Sequence, residues 1–214
     1  KTFCAKHRNC MSFLRDFTSG YEPEVGQDQW EHPYAKNSLN CYSYFLNDKP
    51  QSILNKCKEY CLQEHKTGCP KKTKKCSNLK PQPENWHLLF RDGNLKQKTK
   101  NYQCPTMERK LFNDNKTLHK TSFNQKCPPN HYKGSMVIDP QHTFHFYRQN
   151  PNGLWSHKPG ILSVSSVDAN NQRIPVPHFA NRNYAKGKSD DINYTDFCGY
   201  YCVPTNKYKD TRMS

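Results

Sequence analysis

The chain is short of aliphatic residues: Leu, Ile, Val and Phe together make up 35 of 214 residues. Combined with a formal net charge of +15, that shortage would ordinarily mark a disordered chain. No apolar run reaches the length of a membrane-spanning helix, which excludes such a span in this sequence. Glycine is scarce, at nine residues, and no compact Gly-rich loop of the phosphate-cradling kind is present. Nor are there the close CxxC pairs of zinc ribbons or a recognisable nucleic-acid module. Acidic residues number 18 against 33 Lys and Arg, so any long-range attraction is toward anions.

Aromatics and cysteines supply what the aliphatics do not. Phe, Trp and Tyr are 13% of the chain, and large rings bury enough surface for a modest core with long polar loops. Eleven cysteines read as a disulfide framework formed outside the reducing cytosol, in an extracellular or virion setting. The odd count leaves at least one thiol unpaired in a monomer, and Cys41 is the candidate. Asn115-Lys116-Thr117 and Asn193-Tyr194-Thr195 are glycosylation sequons and lean the same way. The chain opens at Lys1 rather than methionine, as a processed or trimmed N-terminus would.

The densest aromatic stretch, His142 to Gly160, reads as a β-hairpin. Alternation places Thr143, His145, Tyr147 and Gln149 on one face and Phe144, Phe146 and Arg148 on the other. Asn150-Pro151-Asn152-Gly153 is the turn, with Gly153 taking positive φ, and Leu154 to His157 is the returning arm. His145 and His157 thus come to neighbouring strands. A histidine in a strand is as a rule a half-buried structural residue, so the partner decides its role.

That partner is Cys41. Ser38 is a suitable N-cap, and Leu39, Tyr42, Phe45 and Leu46 recur at helical spacing, which predicts a short amphipathic helix ending before Lys49-Pro50. Cys41 falls on its first turn, where helix-end amides and the dipole favour a thiolate. The alternative is that Cys41 is half of a disulfide.

NCY at Asn40 to Tyr42, HFYRQ at His145 to Gln149, NGLWSHKPG at Asn152 to Gly160 and NYTDFCGYYCVP at Asn193 to Pro204 together resemble an uncharacterised family of bacteria and large DNA viruses. Its Cys-then-His layout is similar to that of papain-like cysteine amidases and peptidases, bacterial cell-wall ones included. The resemblance implies Cys41 as nucleophile, His145 as base and His157, or else Asp168, as the group orienting it, acting on an amide or acyl substrate. Tyr42, Trp155 and Arg148 are candidates to line a cleft, and equally candidates for core or surface. The stretch from Cys57 to Asn124 lies outside the resemblance.

Along the chain, helices are expected over Met11 to Phe17 and from Gln51, capped by Ser52, to Gly68. In the second, Ile53, Cys57 and Cys61 share a face. Cys57, Cys61, His65 and Cys69 have spacing that can hold zinc, but disulfides are the preferred reading and no metal or cofactor is assigned. Strands are expected over Gly134 to Ile138, Ile161 to Val167 and Phe197 to Val203. Cys198 and Cys202 are too far apart in an extended chain to bond each other, so each should pair elsewhere, among the N-terminal cysteines.

These elements give an α+β class: a short nucleophile-type helix packed on an antiparallel sheet of about five strands, papain-like, with a cysteine-rich helical and loop insertion. Residues 1–214 read as one domain, 51–124 as the Cys/Lys-rich insertion and 205–214 as a flexible tail. Lys71, Lys72, Lys74, Lys75, Lys96, Lys98 and Lys100 form two basic clusters, read either as solvated loops or as contacts to an anionic partner. The rival to the hydrolase is a non-catalytic structural component of a large DNA virus particle, a minor capsid or surface protein bound to neighbouring subunits. A secreted basic binding protein or toxin would explain the charge and cysteines but not the hairpin.

Overall fold

The computed structural model describes residues 10–64, 69, 73–84, 101–185 and 192–205. Lys71, Lys72, Lys96, Lys98, Lys100, His65 and the tail 206–214 lie outside them. Helices lead the chain: α1 (Cys10–Arg15), α2 (Gln27–Glu31), α3 (Pro33–Ser38), α4 (Cys41–Phe45), α5 (Gln51–Glu64), α6 (Lys74–Ser77) and α7 (Cys104–Asp114). Strands β1 (His119–Thr121), β2 (His131–Asp139), β3 (Thr143–Gln149), β4 (Trp155–Ser156) and β5 (Asp196–Pro204) form one sheet in the order β1-β5-β2-β3-β4. Every pairing is antiparallel, so the α+β class with a five-stranded antiparallel sheet holds.

Strand alternation sorts the aromatics into two layers. Phe144, Phe146, Met136, Ile138, Tyr201 and Val203 pack under Tyr42 and Phe45 of α4 and Leu111 of α7. Val137, Tyr147, Trp155 and Tyr200 face the other way and meet Ile174 and Tyr194 from the loops. A third cluster joins α2, α3, α5 and α6 through Trp30, Leu39, Tyr44, Ile53, Cys57 and Cys61. Ile53, Cys57 and Cys61 do share the buried face of α5. Rings therefore replace the missing aliphatics, as the composition requires.

Several expectations are corrected. Ile161 to Val167 does not form a strand; it carries isolated bridges, Ser165 to His157 just after β4 and Val167 to Arg173 within the loop. Within residues 51–124, α7 roofs the sheet and β1 pairs with β5. Cys198 and Cys202 find partners in Cys104 and Cys127 rather than among the N-terminal cysteines. The physical reason is a bulge: the register steps from Met136↔Gly199 to Val137↔Phe197, leaving Cys198 as the extra residue and turning it toward the α7 layer. Two further bridges, Cys57–Cys76 and Cys61–Cys69, close the α5–α6 region. Cys41 is the free cysteine among the described residues.

The close approach of α4 to the sheet depends on Gly134 in β2, where an added Cβ would collide with the Phe45 ring. Gly134→Ala should therefore lower unfolding stability by about 1–3 kcal/mol through overpacking. Chemical denaturation of the two proteins checks it; a difference below about 0.5 kcal/mol would mean that α4 can shift without cost.

Candidate functional site

The site begins at Asn40. Its Oδ1 accepts hydrogen bonds from the Tyr42 and Ser43 amides at 3.1 and 3.2 Å, and its Nδ2 donates to the Pro81 carbonyl at 2.8 Å. Asn40 is thus the N-cap of α4. Ser38, the expected cap, instead ends α3 and donates its hydroxyl to the Tyr34 carbonyl at 2.7 Å. Cys41 becomes the first residue of α4, and the amide dipoles of Phe146, Tyr42 and Cys41 itself favour its anion. The sulfur therefore lies near the β3 backbone at Phe146, the residue that follows His145 in the chain. It can do so because β4 pairs only with Arg148 and Gln149, leaving the β3 edge open at Phe146.

The helix end does not produce a resting thiolate. Cys41 is 5% exposed, and burial pushes its thiol up to about 12, against the pull of the three amides and the Lys158 charge. Desolvation of the anion outweighs the favourable dipoles. The expected low thiol pKa is therefore reversed: the thiol is protonated at rest.

The two histidines do meet. His145 Nε2 and His157 Nδ1 are 2.7 Å apart, and His157 Nε2 lies 3.0 Å from the Val167 carbonyl. A carbonyl only accepts, so His157 carries its proton on Nε2, which leaves Nδ1 bare to accept from His145 Nε2–H. His145 Nδ1 then holds the lone pair. Both rings are buried, at 3% and 2% exposure. Burial, and then the neighbouring His157, drives His145 well below 6.5; burial brings His157 to about 4. Tyr194 stacks on His145 with centroids 5.3 Å apart.

Asp168, the alternative orienting group, is occupied elsewhere. Its carboxylate accepts from the amides of Asn170, Gln172 and Asn181 at 2.9 to 3.0 Å, so it shapes the loop after Val167, whose backbone holds His157. Tyr42, Trp155 and Arg148 are core rather than cleft. Tyr42 donates its hydroxyl to Asp114 at 2.6 Å, and Trp155 is fully buried. Arg148 donates to the carbonyls of Tyr44 and Glu24 and to Asn47 Oδ1 while lying 3.9 Å from the Tyr44 ring centroid. Its five-donor fork suits that role.

Lys158 was missed, although it follows His157 directly in WSHKPG. Its Nζ donates to the carbonyls of Lys36, Leu39, Gly160 and Leu162 at 2.7 to 3.3 Å. One buried side chain thus ties the segment leading into Cys41 to the loop leaving His157. Burial lowers its pKa to about 7. A separate depression of about 590 Å³, lined by His32, Tyr34, Lys49 and Leu54 among others, includes none of Cys41, His145 or His157. Asn115, in one of the two sequons, is buried and engaged with Thr117, a poor acceptor for a glycan. Of the basic clusters, Lys74 and Lys75 are described, exposed on α6.

The buried neutral histidines make stability pH-dependent. Their folded pKa values lie below the unfolded 6.5, so the unfolded chain binds more protons and stability falls as pH drops from 6.5 toward 4. His157 alone accounts for up to about 3 kcal/mol over that window. Denaturation midpoints from pH 7 to pH 4 should show this loss, and His157→Gln should flatten it; equal slopes in both proteins would mean that His157 titrates normally.

No family model matches the chain, and no solved structure matches it. It is similar to insoluble matrix shell protein 1 of Ruditapes philippinarum, with 33% identity over 69 residues, which are 32% of this chain and 40% of that protein.

Proposed function

We propose that the chain is a papain-like cysteine amidase or peptidase domain, with Cys41 as nucleophile, His145 as base and His157 as the orienting residue, acting on an amide or acyl substrate. The observation that carries this reading is the run of tautomers fixed from Val167 through His157 to His145, which puts the base lone pair on His145 Nδ1. The nearness of the Phe146 amide to the Cys41 sulfur supports the pairing, since Phe146 follows His145 in β3. In this mechanism the thiol proton passes to His145 Nδ1 as sulfur attacks the carbonyl carbon. The protonated ring then returns it to the leaving amine or alcohol, and water releases the acyl group. A protonated resting thiol suits this route, because the base acts during attack rather than before it. The disulfides and the shell-protein relative favour a secreted, extracellular location.

A second reading is favoured by the burial of all three residues, each 5% exposed or less, and by the shell-matrix relative. In it the chain keeps the scaffold as a non-catalytic structural component of an extracellular assembly, be it a matrix or a virus particle. Alkylation kinetics separate the two. With iodoacetamide on the native chain at pH 7, mapped by mass spectrometry, Cys41 in the hydrolase reading reacts about a hundredfold faster than in His145→Ala, the low end for a general base. Equal rates in the two proteins, each shown folded by circular dichroism, would remove the base from the mechanism and leave the structural reading.

A further inference from the structure

Away from Cys41, the α5–α6 region gathers four cysteines into a single cluster. Cys57 and Cys61 stand four apart on the buried face of α5, Cys76 lies on α6 and Cys69 on the connection between them. Their sulfurs all lie within 4.8 Å of one another. Cys61 and Cys76, which belong to different bridges, have sulfurs 3.7 Å apart. Four thiolates around one zinc at about 2.3 Å occupy tetrahedron corners about 3.8 Å from each other. Once the two bridges open, small shifts of four already adjacent sulfurs reach those corners.

The surroundings suit thiolates. Thr73 is 3% exposed and its hydroxyl lies 3.3 Å from Cys69 Sγ; since a bridged sulfur has no proton, the hydroxyl is the donor. Asn37, 2% exposed, directs Nδ2 at the same sulfur at 3.7 Å, and its Oδ1 accepts from the Thr73 amide at 3.3 Å. Two buried donors fixed on one sulfur match the outer hydrogen bonds that hold metal-bound thiolates. Lys74 and Lys75 flank Cys76 on its N-terminal side, cationic neighbours for the −2 charge of a zinc tetrathiolate.

We propose that Cys57, Cys61, Cys69 and Cys76 are a zinc site in their reduced form, with the two bridges as its oxidised, metal-free counterpart. In each bridge the S–S bond breaks on accepting two electrons and two protons from a dithiol, which leaves as its own disulfide. Zn²⁺ then displaces four thiol protons and forms four Zn–S bonds. The fourth ligand is Cys76, in place of the His65 that sequence spacing offered. The site is independent of the proposed hydrolase, because Cys41 takes no part in it.

The test uses the full chain, reduced anaerobically with a non-coordinating phosphine, mixed with one equivalent of Zn²⁺, alkylated with N-ethylmaleimide and mapped by peptide. Zinc should protect Cys57, Cys61, Cys69 and Cys76 together while Cys104, Cys127, Cys198 and Cys202 are labelled. Against a chromogenic chelator, Cys61→Ser should abolish the tight site and Thr73→Val should weaken it about tenfold. Protection no greater at the four than at the other cysteines, or unchanged affinity in Cys61→Ser, would overturn the proposal.

Discussion

The contact of α4 with β3 is the constraint on which the rest of the structure hangs. Five residues are far too few to hold a helix in water, where nucleation outweighs the gain of one turn. Tertiary contacts therefore hold α4 at each end. Asn40 caps its start, Arg148 from β3 takes the Tyr44 carbonyl near its end, and Phe45 drops into the space above Gly134. Phe146 stacks beneath with its centroid 4.6 Å from that of Phe45. Cys41 is positioned by the same contacts, its neighbour Asn40 fixing the helix start and the sheet fixing where that start lies.

Buried cations complete the frame in an unusual way for a chain with so few acids. Lys158 and Lys133 lie inside the protein against backbone carbonyls rather than carboxylates, Lys133 donating to Phe17 at 3.1 Å and Phe123 at 2.6 Å. Carbonyls at loop and helix ends are orphan acceptors, and an ammonium with three donors satisfies several at once. A lysine thus joins segments distant in sequence without an acidic partner. The desolvation cost remains visible in their lowered pKa values, about 7 for Lys158 and about 8 for Lys133.

What could be read from sequence follows from how local its cause is. The faces of β3, the Gly153 turn, the shared face of α5 and the unpaired Cys41 come from alternation, helical period and cysteine parity, and the structure has them. The cap moved from Ser38 to Asn40 because Pro33 starts a separate helix that consumes Ser38, and both residues are good caps in isolation. Ile161 to Val167 alternates like a strand, yet β4 ends at Ser156 and offers no edge for it to extend. The partner of Cys198 depended on a bulge that no propensity announces. Tyr42, Trp155 and Arg148 could be read for cleft, core or surface alike, because polar and aromatic groups serve all three; only packing tells which.

The same limit explains the thiol. Helix position lowers a cysteine's pKa when the sulfur stays in contact with water or a cation, and raises nothing in the sequence to warn of burial. Here three amides face the sulfur, yet desolvation wins and the resting site is neutral throughout: thiol, His145 and His157. Neutrality is what lets three polar side chains sit in an aromatic core at all, since an isolated buried ion pair would cost several kcal/mol. It also fixes proton positions by hydrogen bonding alone. The Val167 carbonyl sets one tautomer, that tautomer sets the next, and of the two rings the lone pair not used in these bonds falls on His145 Nδ1. A core packed merely for stability would be served as well by Leu or Phe at 145 and 157; two histidines in fixed tautomers demand a backbone acceptor, a paired ring and a stacked Tyr194 to keep them there.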